Sequence, residues 1–474
     1  MLLHLLHFGP ILAALATVWG VIAAIVIVLQ RRSPAATIAW LLVLVLLPGA
    51  GLLIYRVIGP LRLERKRLKR QVARRVVADA VSAMASLNAA HAADVQIARV
   101  PIAEGEAPPL HADAIELYLD GASAYAAIFA AIRAARHHVH LEYYIFEPDK
   151  IGTQLRDLLI EKARAGLIVR LIVDGAGSSH LSRRFLRPLR DAGARVAWFN
   201  PVSIRWIRTR RVDFRSHRKI VVCDGRVAFT GGMNISDNHT AEFRAAYWRD
   251  THVRVEGAAA LPMQRLFLED WLFATTELPS QTTELFPPPT GDGGHVVQIV
   301  ASGPDRAVLP IHDTYFTVVT RAERRLWLTT PYFVPGEAFV TAMCTAAMRG
   351  VDVRLIIPIS GDSRLIDLAA RSYVPELLAS GVKVFEYLPR FIHAKTLVAD
   401  DDLAIVGTAN LDTRSFRLNF ELAALFYDEP FTARLAAAFE VDQAASRPLV
   451  APKGKQKLRR RLGEATARLL SPLL

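Results

Sequence analysis

The chain has 474 residues, 52% of them hydrophobic, with a formal net charge of +13 and two cysteines. That length exceeds one small domain and allows two or three with large cores. Cys223 and Cys344 lie far apart without a C-x-x-C spacing, which excludes a disulfide framework and argues against a structural zinc site. The positive balance requires an anionic partner, either nucleic acid or an acidic lipid surface.

The apolar excess sits at the start. Residues 11–29 form an apolar run of about the 20 residues that cross a bilayer as a helix. Arg31-Arg32-Ser33-Pro34 breaks it, and a second apolar run covers 35–54. We expect a transmembrane hairpin over 1–60. No Lys or Arg precedes the first run and a second span comes at once, which argues against a cleavable signal peptide. Two buried helices of a soluble domain are the alternative. Next come Arg56, Arg62, Arg65, Lys66, Arg67, Lys69, Arg70, Arg74 and Arg75. The positive-inside rule puts this flank, and the rest of the chain after it, on the cytoplasmic side of the inner (plasma) membrane. There each cation gains about 1 kcal/mol from anionic headgroups. Residues 61–110, Ala-rich and then carrying Pro101 and Pro108-Pro109, are expected to form a basic juxtamembrane helix and linker.

Helix and strand then alternate, twice. In the first half (111–280) the pattern predicts a helix over 124–135, a strand over 140–146, a helix over 155–165 and a strand over 168–173. In the second half (296–450) it predicts a helix ending near 324, a strand over 326–333, a helix over 338–349 and a strand over 353–357. A linker at 281–295, with Pro287-Pro288-Pro289 and Gly291-Asp292-Gly293-Gly294, joins them. The expected fold is α/β: two pseudo-symmetric α/β sandwich halves behind the N-terminal hairpin. His137, His138 and His140 crowd the first predicted helix end, where a cap or surface role is expected. The tail, 451–474, carries Lys453, Lys455, Lys457, Arg459, Arg460 and Arg461, then Leu469, Leu470, Leu473 and Leu474. It is expected to be a basic amphipathic segment lying on the membrane, with a solvated tail as the alternative.

One pattern occurs in both halves. His217-Arg218-Lys219 is followed by Asp224, and His393-Ala394-Lys395 by Asp400: both are H-x-K-x4-D. Gly231-Gly232-Met233-Asn234 and Gly407-Thr408-Ala409-Asn410 come after them at the same offset. The apolar stretch 220–223, Asp224-Gly225 and the stretch 227–229 predict a β-hairpin. His and Lys two apart at the mouth of a strand share a face. Two such halves, paired about a pseudo-twofold axis, pool two imidazoles in one site. One imidazole then attacks phosphorus and the other handles the proton, without a metal or other cofactor. We expect His217 as nucleophile and His393 as acid–base, with Lys219, Lys395, Asn234 and Asn410 on the non-bridging phosphate oxygens. Asp224 and Asp400 complete the two catalytic motifs, but they sit at turns, where Asp is favoured for backbone reasons. Other carboxylates should orient the rings: Asp250 for His217 and Glu421 for His393. Arg205, Trp206, Arg208, Arg210 and Arg211 are candidates for gripping headgroup phosphates.

The repeats resemble the phospholipase D superfamily, and the wording is closest to the bacterial cardiolipin synthases. The resemblance is carried by residues 141–146 (LEYYIF), the first motif through Asn234, and Trp248-Arg249-Asp250-Thr251-His252-Val253. In the second half it lies in Thr330-Pro331-Tyr332-Phe333, the second motif, and Asn410-Leu411-Asp412 through Phe416. It implies that two phosphatidylglycerol molecules condense to cardiolipin and glycerol through a phosphatidyl-histidine. The superfamily often has Ser after the first Gly of the trailer; Gly232 and Thr408 stand there. The partners implied are anionic phospholipid and membrane, with no nucleic acid, and the oligomeric state is left open. A membrane-tethered phospholipase D or phosphodiesterase using water, and a non-catalytic membrane organiser, are the rival readings.

Overall fold

The computed structural model describes residues 17–29, 34–47, 49–51, 54–55, 71–77, 96–201, 214–277, 283–288, 293–451 and 458–471. The chain divides into one compact unit of residues 1–67 with 202–214 and another of 68–201 with 215–474. In the first unit, residues 17–29 and Pro34–Leu46 are helical. Leu29, Val45 and Leu46 are among their exposed apolar side chains. Among the described residues no helix is long and apolar enough to cross a membrane. Parts of both expected spans, 11–16 and 52–53, lie outside the described residues, as do Arg56 to Arg70 of the basic flank and Arg205 to Arg211.

The second unit carries two sheets built to one plan. Strands β1 (Leu110–Ala112), β2 (Ala114–Tyr118), β3 (His138–Tyr143), β4 (Ile168–Asp174), β5 (Arg195–Phe199), β6 (Lys219–Cys223), β7 (Val227–Gly231) and β8 (His252–Glu256) come first. Then come β9 (His295–Ser302), β10 (Arg325–Thr329), β11 (Phe333–Val334), β12 (Asp352–Pro358) and β13 (Lys383–Tyr387). The last are β14 (Thr396–Ala399), β15 (Leu403–Gly407), β16 (Leu411–Asp412), β17 (Glu421–Tyr427) and β18 (Ser446–Pro448). One sheet runs β2-β8-β7-β6-β3-β4-β5. The other runs β9-β17-β15-β14-β10-β12-β13 in the same order, with β1 and β18 added at its edges. In each the central trio is parallel (β3, β4, β5; β10, β12, β13) and the motif hairpin is antiparallel (β6–β7; β14–β15). β11 and β16 form a separate parallel pair.

Period two decides which way each strand faces. Ile220 and Val222 of β6 meet Val398, Ala404 and Val406 of β14 and β15 in one core between the sheets. Val221 and Cys223 turn to the opposite core, under helices α1 (Gly121–Ala134), α2 (Lys150–Arg164) and α3 (Arg183–Asp191). Leu397, Ala399 and Ile405 likewise turn outward to α5 (Pro310–Arg321), α6 (Glu337–Met348) and α7 (Arg364–Ala379). α4 (Leu261–Thr275) and α8 (Glu429–Ala444) contribute Met263, Leu266, Phe431 and Phe439 to the inter-sheet core. The result is two sheets face to face with helices outside, the sandwich the alternating pattern predicts.

Three expectations are corrected. β3 begins at His138, two residues before the predicted strand, so His138 and His140 lie on a strand and share its face. They are buried: His138 Nε2 and His140 Nδ1 stand 3.3 and 3.2 Å from Gln264 Oε1, and Arg170 Nη1 is 2.9 Å from His140 Nε2. Arg74 does not face headgroups. It lies 3.3 Å from both Glu269 and Asp305, on a short helix whose Ala73 and Val77 are buried. The tail is not a free segment either, since α9 (Leu458–Leu469) docks on α7. Ala467 is buried, Arg468 pairs with Glu376 at 3.2 Å, and the Tyr373 hydroxyl donates to Ser471 Oγ. Leu458, Leu462 and Leu469 stay exposed. Lys453, Lys455, Lys457, Leu473 and Leu474 lie outside the described residues.

Candidate active site

The two motifs meet where the sheets' equivalent strand mouths face each other. His217 precedes β6 and Lys219 opens it; His393 and Lys395 precede β14. The strand entering each motif pairs with a segment of the opposite half. Ser216 bridges Phe420 and Arg249 bridges Ile392. His217 N–H donates to the Phe420 carbonyl at 2.9 Å, and His393 N–H to the Arg249 carbonyl at 2.7 Å. The residue after Phe420 is Glu421, and the residue after Arg249 is Asp250. Each imidazole therefore meets the carboxylate of the other half. His217 Nδ1 is 3.0 Å from Glu421 Oε2, and His393 Nδ1 is 2.7 Å from Asp250 Oδ2. This corrects the expected pairing: Glu421 serves His217 and Asp250 serves His393, because the bridging segments cross between the halves.

These contacts fix the tautomers. His217 Nδ1 is also 3.0 Å from the Thr408 carbonyl, which can only accept. Nδ1 therefore carries the proton, and Nε2 holds the lone pair. His393 Nδ1 faces a carboxylate and takes the same tautomer. Two buried rings thus present Nε2 as nucleophile or base. The ammonium groups of Lys219 and Lys395 donate to the carbonyls of His217 and His393, folding each cation back toward its imidazole. Asn234 and Asn410 are also buried here; Asn234 Oδ1 accepts from Ile145 N–H, while Asn410 Oδ1 has no partner among the described residues.

Electrostatically the site crowds four buried basic side chains together and favours an anion among them. Burial drives Lys219 down to about 7 and Lys395 to about 8, with Glu421 and Asp250 opposing and Lys395 adding to the fall at Lys219. Burial also lowers both imidazoles, His393 further than His217; Lys219 and Lys395 add to the fall at each ring, His217 adds to it at His393, and Glu421 opposes it at His217. Burial raises Glu421, but His217, Lys219 and the Thr408 hydroxyl outweigh it and hold the carboxylate below its usual range. His393 lies near Trp248 and Phe391, with ring centroids 5.1 and 5.8 Å away, and Tyr144 meets His217 edge-on at 4.9 Å.

Asp224 and Asp400 are not in this pocket. They sit at the far ends of the motif strands, roughly 20 Å of extended chain from the imidazoles. Asp224 accepts from the N–H groups of Arg136, His137 and His138, at 2.8, 2.9 and 2.9 Å. Asp400 does the same for Glu323, Arg324 and Arg325. Both adopt left-handed backbone, φ 55° and 49°, where Asp is among the few tolerated residues. Their recurrence at one position in both halves is a fold requirement, and they leave the catalytic set. Two residues that sequence reasoning passed over join the site. Tyr144 packs on His217, and His239 stands 3.6 Å from Asp250. A spacing signal existed for His239: it lies five residues past Asn234, as Ser415 lies five past Asn410. His239, Asp250 and His393 offer ligand atoms within 4.8 Å of one another. Both rings turn an Nδ1 toward the carboxylate, His393 within hydrogen-bonding distance at 2.7 Å and His239 beyond it at 3.6 Å.

Fold and site together define a two-half phosphodiester-transfer enzyme of the phospholipase D type. The family model described as "Cardiolipin synthase, PLD-like domain" matches residues 128–271 and 315–443, and "Phospholipase_D-nuclease N-terminal" matches 18–60. The cardiolipin synthase of Geobacillus thermodenitrificans (strain NG80-2) is 40% identical over 472 residues, spanning 96% of this chain and 92% of that protein. Cardiolipin synthase 1 of Bacillus anthracis is 37% identical over 464 residues, 95% and 91% of the two chains. Among solved structures, the phosphatidylserine synthase of Haemophilus influenzae Rd KW20 shares the fold at a TM-score of 0.62 and 16% identity. That match covers 80% of this chain and 100% of that one. The chain belongs to the cardiolipin synthase family of the phospholipase D superfamily.

Proposed function

We propose that this chain is a membrane-bound phosphatidyltransferase that condenses two phosphatidylglycerol molecules into cardiolipin and glycerol. The observation that carries the reading is the pair of buried imidazoles, each with Nδ1 tied to a carboxylate of the opposite half, with Lys219 and Lys395 acting on both rings. His217 Nε2 attacks phosphorus, and His393 gives a proton to the departing glycerol; a phosphatidyl-histidine remains. His393 then takes the proton from the hydroxyl of the second phosphatidylglycerol, whose oxygen displaces His217. His217 is assigned the attack because two acceptors, Glu421 and the Thr408 carbonyl, fix its ring. His393 is assigned the proton because Trp248 and Phe391 give its side a drier wall. The lysines and Asn234 and Asn410 hold the non-bridging oxygens. Burial lowers His393 and the neighbouring cations add to the fall; a phosphodiester anion at the lysines offsets that added repulsion and so favours loading the acid.

The segments 1–60, 61–110, 111–280, 281–295, 296–450 and 451–474 are proposed as hairpin, juxtamembrane linker, first half, linker, second half and basic tail. The hairpin holds the enzyme in the membrane, and the arginines after it set the halves on the cytoplasmic side. The test is purified protein with phosphatidylglycerol labelled in the glycerol headgroup and acyl chains. Cardiolipin plus glycerol supports the reading. Phosphatidic acid plus glycerol makes water the acceptor, and absence of turnover removes catalysis altogether. His217→Ala and His393→Ala should each abolish turnover, and only His393→Ala should yield, slowly, an acyl-labelled phosphatidyl-histidine peptide by mass spectrometry.

A further inference from the structure

The two trailers differ at one chemically important position. Thr408 donates through Oγ1 to Glu421 Oε2, and its counterpart in the first half is Gly232. Asp250 is one methylene shorter than Glu421, which draws its carboxylate against the main chain. A Cβ on Gly232 would stand 2.0 Å from Asp250 Oδ1, so no hydroxyl-bearing residue fits there. Asp250 Oδ1 accepts from Thr251 N–H at 2.7 Å, and Oδ2 meets His393 Nδ1 at 2.7 Å. The next group at Oδ2 is His239 Nδ1, 3.6 Å away.

His239 is fully buried, on the short turn Asp237–His239 capped by Ser236. Its ring is wedged edge-on to Trp248 at 5.3 Å and lies 5.9 Å from the His393 ring. Asn234 N–H donates to His239 Nε2 at 3.1 Å, as Asn410 N–H donates to Ser415 Oγ at 3.2 Å. Accepting that bond occupies the Nε2 lone pair, so the proton of the neutral ring is on Nδ1. Neutrality comes from burial, which pushes the ring down to about 3 against Asp250, with His393, Lys395 and His252 adding to the fall.

We propose that His239 is a positioning residue for the His393 half: it turns an Nδ1–H toward Asp250 Oδ2, replacing the hydroxyl that Thr408 gives Glu421, and so sets how strongly Asp250 holds the proton on His393. The inference rests on the reading of His393 as the acid–base group. At 3.6 Å the N–H acts through its dipole, which is effective in a dry pocket. Without that donor Asp250 is the stronger base, and His393 keeps its proton to higher pH. The other charged and titratable groups facing His393 are Lys395, Lys219 and His217, and they remain in place.

Two variants of the full-length enzyme test this. His239→Ser keeps an acceptor for Asn234, as Ser415 does for Asn410, but does not reach Asp250. His239→Gln offers both an acceptor for Asn234 and an amide N–H for Asp250. The readout is the pH–rate profile of total phosphatidyl transfer, to lipid or to water, with the thermal midpoint as a check of folding. In His239→Ser, kcat should fall about 10-fold and the alkaline limb should move up by about one pH unit, with KM little changed. His239→Gln should return the limb toward the parent position. An unmoved limb in a folded His239→Ser, or equal losses in both variants without a shift, overturns the proposal. His239→Ala, which offers no donor to Asp250, replaces Ser if that variant is unstable. Transfer to water counts as turnover, so a lack of cardiolipin bears on the acceptor alone and leaves the limb readable.

Discussion

Replacing Glu421 by Gln removes one charge from a carboxylate that is fully buried and 3.0 Å from His217 Nδ1. Shape and an acceptor oxygen are kept. When His217 Nε2 bonds to phosphorus, positive charge develops on the ring, and Glu421 is the anion that meets it. A full charge pair at that separation is worth about 5.5 kcal/mol at an effective dielectric of about 20. With the ring roughly half charged in the transition state, the loss is about 2.8 kcal/mol, or on the order of 100-fold in kcat. Glu421 does not touch bound substrate in this scheme, so KM should hold. The assay is initial rate against labelled phosphatidylglycerol in mixed micelles, with a thermal melt to show that the fold survives. Histidine acylation by diethylpyrocarbonate, followed peptide by peptide, reports which ring has changed. The expected result is an altered rate at His217 and an unaltered one at His393; Asp250→Asn should give the converse. A folded Glu421→Gln enzyme within about fivefold of the parent, or one whose His393 is the ring disturbed, would refute the crossed pairing.

Lys219 and Lys395, held near 7 and 8, are partly neutral at pH 8. A phosphodiester anion restores their charge, so binding of a non-reactive diester should take up protons, read by calorimetry in buffers of different ionisation enthalpy. Proton release at pH 8 would contradict that placement. The same depression has a folding consequence. Between about pH 7 and 10.4 the unfolded chain binds more protons at these lysines than the native one. Their contribution to stability therefore rises with pH across that window, measurable by denaturant titration. Asp224→Ala removes three backbone hydrogen bonds and places Ala in left-handed backbone. It should cost about 2–3 kcal/mol of stability by denaturant melt, with KM unchanged. Arg218→Met leaves Asp270 buried without the guanidinium that ion-pairs with it. A loss of about 3–5 kcal/mol is expected, visible as a lower thermal midpoint or as failure to accumulate folded protein.

What the sequence discloses is what is local. H-x-K, the Asp-Gly turn and the Gly-x-x-Asn trailer each fit within one hairpin, and their duplication announces two halves before any coordinates. Helix and strand alternate visibly because buried β-branched strands and amphipathic helices have different periods. Sequence position names both carboxylate partners correctly as residues and attaches them to the wrong imidazoles. Glu421 is 204 residues from His217, and Asp250 is 143 from His393; no spacing rule crosses that distance. Proximity in sequence favours pairing within a half, while the bridges at Ser216–Phe420 and Arg249–Ile392 decide it between halves. A two-residue error at a strand start misplaces His138 and His140, enough to move them from a helix end to an interior face. The docking of α9 depends on the small buried side chain of Ala467, and nothing in a basic, leucine-containing tail distinguishes that face from the exposed one.

The crossed carboxylates also explain why duplication here is more than two copies of one function. Each half supplies an imidazole whose tautomer is fixed by the other half, so neither half alone presents an oriented Nε2. The halves have nevertheless diverged at this contact. Glu421 is supported by Thr408 and by Asn419, whose side-chain amide donates to Oε1 at 3.1 Å, whereas Asp250 sits over Gly232 beside His239. A longer acid with a hydroxyl and a shorter acid with an imidazole place equivalent carboxylate oxygens at two equivalent rings, in unequal electrostatic surroundings. Opposite proton roles demand such inequality. A nucleophile must remain unprotonated when substrate arrives, while its partner must gain a proton from the same event. Pseudo-symmetry in the strands supplies the matched geometry, and the residues behind the imidazoles break that symmetry, giving the two rings unequal surroundings for the opposite proton roles proposed for them.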